Sequence, residues 1–416
     1  MKPPYPISPS RLLIPLGIGL ILCLFGDATL YTVLPKADIL LEAGITLGMV
    51  GIVLGANRMI RLLSNGPTGW LYDRLPRRGL MVGSLALGAI STACYALSHG
   101  STLLLAGRIL WGIAWSGIWI GTTTMTLDIS REDNRGFVNG QLQMWYFLAV
   151  AIASLSSGLF TDLLGYRGGL WLSTGLGLLA ALIWLAFLPE TRPAGQAIQP
   201  AQNNKPASSL PWRLAFSLTI PYFTMRVVFE GVLAATTILW LGQFFDGGLK
   251  LGGLTLPLAT LTGIFTALRV VVSILSAPWI GKLSDFLRRR WAVVAGVSAL
   301  GVVGLWGMSL PDLGLSVAGG LLAAVTAGAI PLLIPAVVGD RVPEEQHGRT
   351  LGFIFSWGDL GSGLGPWLGL ALIPLVGIGQ TYQLCSLLLI ASGIFSLYRA
   401  VKEKKFPSSQ SKEMTE

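Results

Sequence analysis

Charge is what this 416-residue sequence has least of: Asp, Glu, Lys and Arg together make up 12% of it. A soluble domain carries roughly a quarter, and without that share a globule of this length cannot be clothed for water. Histidine is nearly missing. The two present, His99 and His347, fall in expected loops, which excludes a histidine metal centre or a histidine proton relay. Three cysteines, Cys23, Cys94 and Cys385, stand singly inside apolar runs, with neither metal-ligand spacing nor a disulfide framework. No Gly-rich Lys-Ser/Thr loop is present to cradle a nucleotide phosphate, so ATP is not the energy source. Paired histidines, or a nucleophile with its base, are also wanting. Neither an enzyme nor a metal or cofactor is expected.

Apolar residues fill the space, at 52% of the sequence with a mean hydropathy of +0.66. They gather into runs of the roughly 20 residues that cross a hydrocarbon core of about 30 Å at 1.5 Å per residue. Twelve are expected, at 12–35, 44–66, 79–98, 102–127, 138–160, 169–188, 213–242, 253–278, 291–310, 314–338, 350–372 and 380–399. The first could be taken for a secretory signal. It is too long, carries Asp27 and Pro35, and lacks a small-residue cleavage site, so it is expected to persist as a helix. The fold class is therefore an all-α integral membrane protein of twelve transmembrane helices, with the lipid bilayer as its first partner.

The net charge of +9 invites a nucleic-acid reading, which the positions of the 29 basic residues remove. Twenty-one fall in alternate loops and the two tails, three on the opposite side (Lys36, Arg167 and Lys250) and five inside spans. Basic residues concentrate on the cytoplasmic side of a membrane. The expected location is a cytoplasmic (inner) membrane with both termini in the cytoplasm, and no nucleic-acid partner.

Residues 189–211 (PETRPAGQAIQPAQNNKPASSLP) have no hydrophobic period and read as a cytoplasmic linker. They divide an N-terminal six-helix bundle, 1–188, from a C-terminal one, 212–400, with a cytoplasmic tail at 401–416. The halves repeat. Gly69, Leu71, Asp73, Arg77 and Arg78, between spans two and three, recur 212 residues later as Gly281, Leu283, Asp285, Arg289 and Arg290. The same offset relates Ala149, Ala153 and Ser157 of span five to Gly361, Gly365 and Gly369 of span eleven. Small residues four apart allow helix backbones to approach closely in a membrane. A duplicated six-helix unit follows.

Over almost its whole length the sequence resembles the major facilitator superfamily. The element G-x-L-x-D-R-x-x-R-R at Gly69–Arg78, including Arg74, is similar to that superfamily's loop signature, with Pro76 where glycine is usual. Arg108 and Gly112 in span four are similar to its arginine–glycine motif, and Asp27-Ala-Thr29 with Pro35 in span one to its drug-efflux branch. The glycine–proline step which that branch carries in span five stands here in span eleven, as Gly365-Pro366. The resemblance implies two pseudo-symmetric bundles and secondary active transport of a small solute by alternating access. It also implies a gating role for Asp73; the alternative for Arg74, Arg77 and Arg78 is that they enforce topology alone.

Ionisable residues within a membrane are costly and mark functional sites by default. They are Asp27, Glu230 and Asp359 against Arg58, Arg61, Arg108, Arg226 and Arg269. Spans one and seven each contribute an acid, about 25 Å along the helix, and spans two and eight each an arginine about 17 Å from the cytoplasmic end. That placement predicts a midplane site at the repeat interface. Arg61 either lines a polar stripe with Arg58 and Asn65 or snorkels to the cytoplasm. Arg226 and Glu230, one turn apart, either neutralise each other or serve the site. Arg108 either couples a proton or braces helices, and Asp359 is either a pivot contact or a proton carrier. Tyr31, Trp111, Trp115, Trp145 and Tyr146 are candidates to line an apolar pocket.

Two uses of these residues stay open. One is proton-coupled movement, including efflux of drug-like compounds or metabolites; the other, suggested by the surplus of arginines, is import or exchange of organic or phosphorylated anions. From another class comes a transport-inactive membrane sensor. A small-molecule substrate, a coupling ion (a proton) and a monomeric state are expected.

Overall fold

The computed structural model describes residues 8–130, 134–191, 211–245, 248–251 and 254–402. Most of the expected linker and all but the first residues of the expected tail lie outside them. Eleven helical runs long and apolar enough to cross a membrane occur among the described residues. One, Arg135–Phe187, has 53 residues and would measure about 80 Å if straight, far beyond a bilayer core. It breaks at Gly165, whose φ of 76° is a left-handed conformation that glycine adopts without steric cost. Expected spans five and six are the two limbs of this run, so the described residues carry twelve crossings.

The remaining spans run Pro9–Val33, Leu47–Tyr72, Arg77–Leu97, Ser101–Ile129, Trp212–Gly242, Leu258–Leu287, Arg290–Met308, Leu313–Arg341, Glu344–Val376 and Ile378–Lys402. Three local features depart from the expected boundaries. Span one is interrupted at Leu24, between Pro9–Cys23 and Phe25–Val33. Span seven carries a π-helical stretch over Arg226–Leu233, the wide turn that often marks a functional segment of a helix. Span eight starts at Leu258 rather than 253, because Leu254–Pro257 (β2) pairs antiparallel with Gly248–Leu251 (β1).

The burial pattern is that of a protein solvated by hydrocarbon. Ile14, Leu62, Leu182, Leu275, Val303 and Leu387 are exposed. The buried faces hold hydroxyl residues that return their donor to the carbonyl four residues back, as Thr29 does to Phe25 at 2.9 Å and Thr236 does to Val232 at 2.8 Å. In lipid a polar group must be satisfied within the protein, and small residues let helices approach.

The chain forms two compact units. The first comprises the N-terminal segment to Ala207 with Glu230–Leu268 and Ser362–Pro374; the second comprises Ser208–Phe229, Arg269–Gly361 and the segment from Leu375. Spans seven, eight and eleven each contribute to both, one part to each.

Candidate functional site

In the first unit the charged core is built on Arg108, which is wholly buried. Its Nε donates to the carbonyl of Val53 at 3.0 Å and one Nη to that of Leu54 at 3.1 Å, while the other Nη pairs with the Asp27 carboxylate. The rings of Tyr31 and Tyr95 lie 5.5 and 6.0 Å from the guanidinium. Tyr31 donates to the same Leu54 carbonyl at 3.1 Å. One side chain thus ties spans one, two and four. Gly112 makes this possible one turn further on: a Cβ there would lie 2.5 Å from the Asn57 oxygen and 2.0 Å from Ile60. Span four therefore rests backbone-close on span two, within reach of the Arg108 guanidinium.

Arg58 faces Glu230 at 3.8 Å, with side chains 16% and 33% exposed, a longer and wetter pair than Asp27–Arg108 or Asp359–Arg226. Arg61, one turn on from Arg58, is buried. Nearby, Ser64 and Ser116 share a 2.7 Å hydrogen bond between spans two and four. Trp111 and Trp115 are buried, and Trp115 stacks on Trp119 with centroids 6.0 Å apart. Tyr146 closes against Trp119 at 5.0 Å, forming an aromatic wall on span four. Trp145 packs over Gly17 of span one instead.

The second unit holds Arg226, Asp359 and Arg269. Arg226 donates to Asp359 at 3.1 Å and to the Gly358 carbonyl at 3.4 Å, with the Tyr222 ring 5.9 Å away. Asp359 is buried. Arg269 is also buried, its Nε has no hydrogen-bond partner, and no carboxylate pairs with it among the described residues. Equal depth did not bring equal partners: Asp27 meets span four, whereas Glu230 meets span two. Arg226 meets Asp359, and Glu230 meets Arg58.

The small residues of span eleven lie against span seven, each within one unit. A Cβ on Gly361 would approach the Phe223 oxygen at 2.9 Å, and one on Gly369 would meet Val232 at 2.8 Å. A Cβ on Gly231 would fall 2.5 Å from the Gly365 Cα, next to Pro366. Nothing described lies within 4 Å of a Cβ placed on Gly69. A Cβ on its repeat partner Gly281 would lie 3.2 Å from Leu332 Cδ2.

The loop signature is anchored by acids that the motif does not contain. Asp73 caps the end of span two, its N–H bonded to the Gly69 carbonyl at 3.0 Å, and Arg74 lies 3.9 Å over the Trp70 ring. Arg77 pairs with Asp128 at the end of span four. The Glu190 carboxylate accepts the backbone N–H groups of Arg77 and Arg78 at 3.0 and 2.9 Å, capping span three where its dipole favours an anion. Thr191 donates to Asp128 at 2.6 Å. In the second unit Arg290 pairs with Asp285 at 2.5 Å and with Asp340 at 2.9 Å. Arg289, which follows Arg77 by the repeat offset, is exposed. The reason is a turn one residue longer: in each copy it is the first residue of the following helix, Arg77 or Arg290, that reaches the acid. Asp128 and Asp340 stand 212 residues apart, so the repeat offset was the signal that could have found them. Glu190 was hidden by its place at the start of a polar segment.

The family model of the Major Facilitator Superfamily matches residues 16–276 and 259–415. The chain is 25% identical to the mouse major facilitator superfamily domain-containing protein 10 over 391 residues, covering 87% of this chain and 80% of that one. It is 22% identical to the multidrug resistance protein MdtG of Rahnella, covering 95% of each. Among solved structures, a bacterial homologue of the human lysosomal transporter Spinster, inward-facing and unoccupied, superposes with a TM-score of 0.79 at 17% identity, covering 98% of this chain and all of that one. The human organic anion transporter MFSD10 superposes at 0.66 and 18% identity, covering 95% and 100%. The family model covers both halves of the twelve-crossing chain, and the chain belongs to the major facilitator superfamily.

Proposed function

We propose that this protein is a proton-coupled secondary transporter of an organic anion, working by alternating access. The observation that carries the reading is Arg269. The three acids inside the spans each have an arginine: Asp27 has Arg108, Glu230 has Arg58 and Asp359 has Arg226. Among the described residues, Arg269 is left buried with an unfilled Nε and no paired carboxylate. A buried guanidinium without a counter-ion is costly, and a guest carboxylate or phosphate would supply a planar, charge-assisted, two-point bond. The likeness to a protein described as an organic anion transporter is in keeping with this.

Glu230 is the carboxylate best suited to carry the coupling proton, because it is the most exposed of the three and its arginine is the most distant. The enclosed Arg108, by contrast, holds Asp27 as a brace. The reading also takes residues 1–188 and 212–400 as the two bundles, a cytoplasmic membrane with both termini inside as the location, and the loop signature with Asp73 as a gate.

The test is flux into proteoliposomes of a panel of dianions, monoanions, neutral compounds and cations, with and without a pH gradient. Arg269→Gln should weaken transport of dianions most and of cations least, while Arg269→Lys retains part of it. Glu230→Gln should abolish accumulation driven by the gradient and preserve exchange. An unchanged charge preference in Arg269→Gln refutes the anion reading. It would favour proton-driven export of uncharged or cationic compounds, the reading to which the multidrug-protein similarity points.

A further inference from the structure

Two glycine crossings in the first unit repeat each other at the 212-residue offset. A Cβ on Gly51 of span two would meet Trp367 Cα at 2.5 Å and the Pro366 oxygen at 3.1 Å on span eleven. A Cβ on Gly263 of span eight would meet the Ser154 oxygen at 2.4 Å and Leu155 Cα at 3.1 Å on span five. Gly263 follows Gly51 by 212 residues, and Pro366 and Trp367 follow Ser154 and Leu155 by the same number. Both crossings lie toward the helix ends opposite the termini. They are one contact made twice by a duplicated chain.

The two are not fastened alike. One turn beyond Gly158, itself backbone-close to Ala259, the Asp162 carboxylate accepts the backbone N–H of Thr260 at 2.7 Å and its hydroxyl at 2.5 Å. Thr260 is the third residue of span eight, so the acid bonds an N–H that the helix itself leaves unfilled, at the end where the helix dipole favours an anion. At the other crossing the equivalent positions are Pro374 and Gly48. These offer neither a carboxylate nor a hydroxyl.

We infer that Asp162 and Thr260 form a latch that holds the five–eight crossing shut and so stabilises the state closed on the side opposite the termini. The equivalent positions of the two–eleven crossing, Pro374 and Gly48, cannot form this pair. On the proposed alternating access of the two bundles, on which this inference rests, the latch is a polar contact between parts of the chain that separate whenever solute enters or leaves by that side. It can be broken and remade, because both groups become hydrated when the crossing opens. Asp162 acts here as a positioning residue, through its bonds to Thr260.

The experiment needs no substrate, so its outcome is separate from that of the anion reading. In a background lacking the three native cysteines, a buried reporter is placed next to the latch by Ala259→Cys. A membrane-impermeant maleimide is then added to the side opposite the termini. Asp162→Ala should raise the labelling rate about tenfold, as expected for losing two hydrogen bonds of modest net worth. Thr260→Val, which keeps the backbone bond, should raise it about threefold. Asp162→Asn, the variant closest to the native fold, should lie between Asp162→Ala and the parent. Equal labelling in the parent and in all three variants overturns the latch. So does a lowered melting temperature with unchanged labelling, since that outcome would make Asp162 a purely structural cap.

Discussion

Removing the carboxylate of Asp27 tests the arginine-centred core most directly. Arg108 is fully enclosed, while the Asp27 side chain is 15% exposed, so the two partners are not equivalent. Without the acid, the guanidinium keeps its bonds to the Val53 and Leu54 carbonyls but has no counter-charge. Breaking a buried pair from one side costs about 3–5 kcal/mol. Asp27→Ala belongs at the upper end of that range and Asp27→Asn, which keeps an acceptor, at the lower. Arg108→Gln should cost less than Asp27→Ala, because the orphaned carboxylate is part-hydrated. Combining Asp27→Asn with Arg108→Gln removes the buried charge altogether. The double variant should therefore be more stable than the sum of the singles by about 2–3 kcal/mol. The assay is unfolding of the four purified proteins in detergent, followed by helicity against denaturant. Additivity within about 0.5 kcal/mol would mean that the pair does not interact, and the account of Arg108 as the brace of spans one, two and four would fall.

Gly112→Ala should destabilise by about 1–3 kcal/mol through overpacking in the same assay, because its Cβ would press on the Asn57 backbone oxygen; unchanged stability would show that spans two and four can part without cost. Glu190→Ala should cost about 1–2 kcal/mol as a lost helix cap, with Glu190→Gln milder, and hydrogen exchange at the first turn of span three should rise in the same order. For orientation, single cysteines at Ser101 and Asn203, in a background lacking the native three, should react with an impermeant reagent from opposite sides; reaction of both from outside intact cells refutes the assignment.

The sequence by itself determined the class of protein, the twelve crossings and the duplication. Each depends on one-dimensional quantities: the length of an apolar run, the side on which basic residues collect, and the recurrence of residues at a fixed offset. It also found the ionisable residues inside the spans, since a charge in hydrocarbon stands out against its neighbours. Which charge meets which was decided only by the tertiary structure. Asp27 and Glu230 sit at matching depths yet bind arginines on different spans, because helix rotation and packing distance choose the partner and neither can be read from depth. Asp128 and Glu190 look like ordinary loop acids until spans four and six bring them to the start of span three. Gly51 and Gly263 look like any other glycines of span until another helix lies against them. A contact between distant segments is a property of two surfaces, and the sequence writes each of them separately.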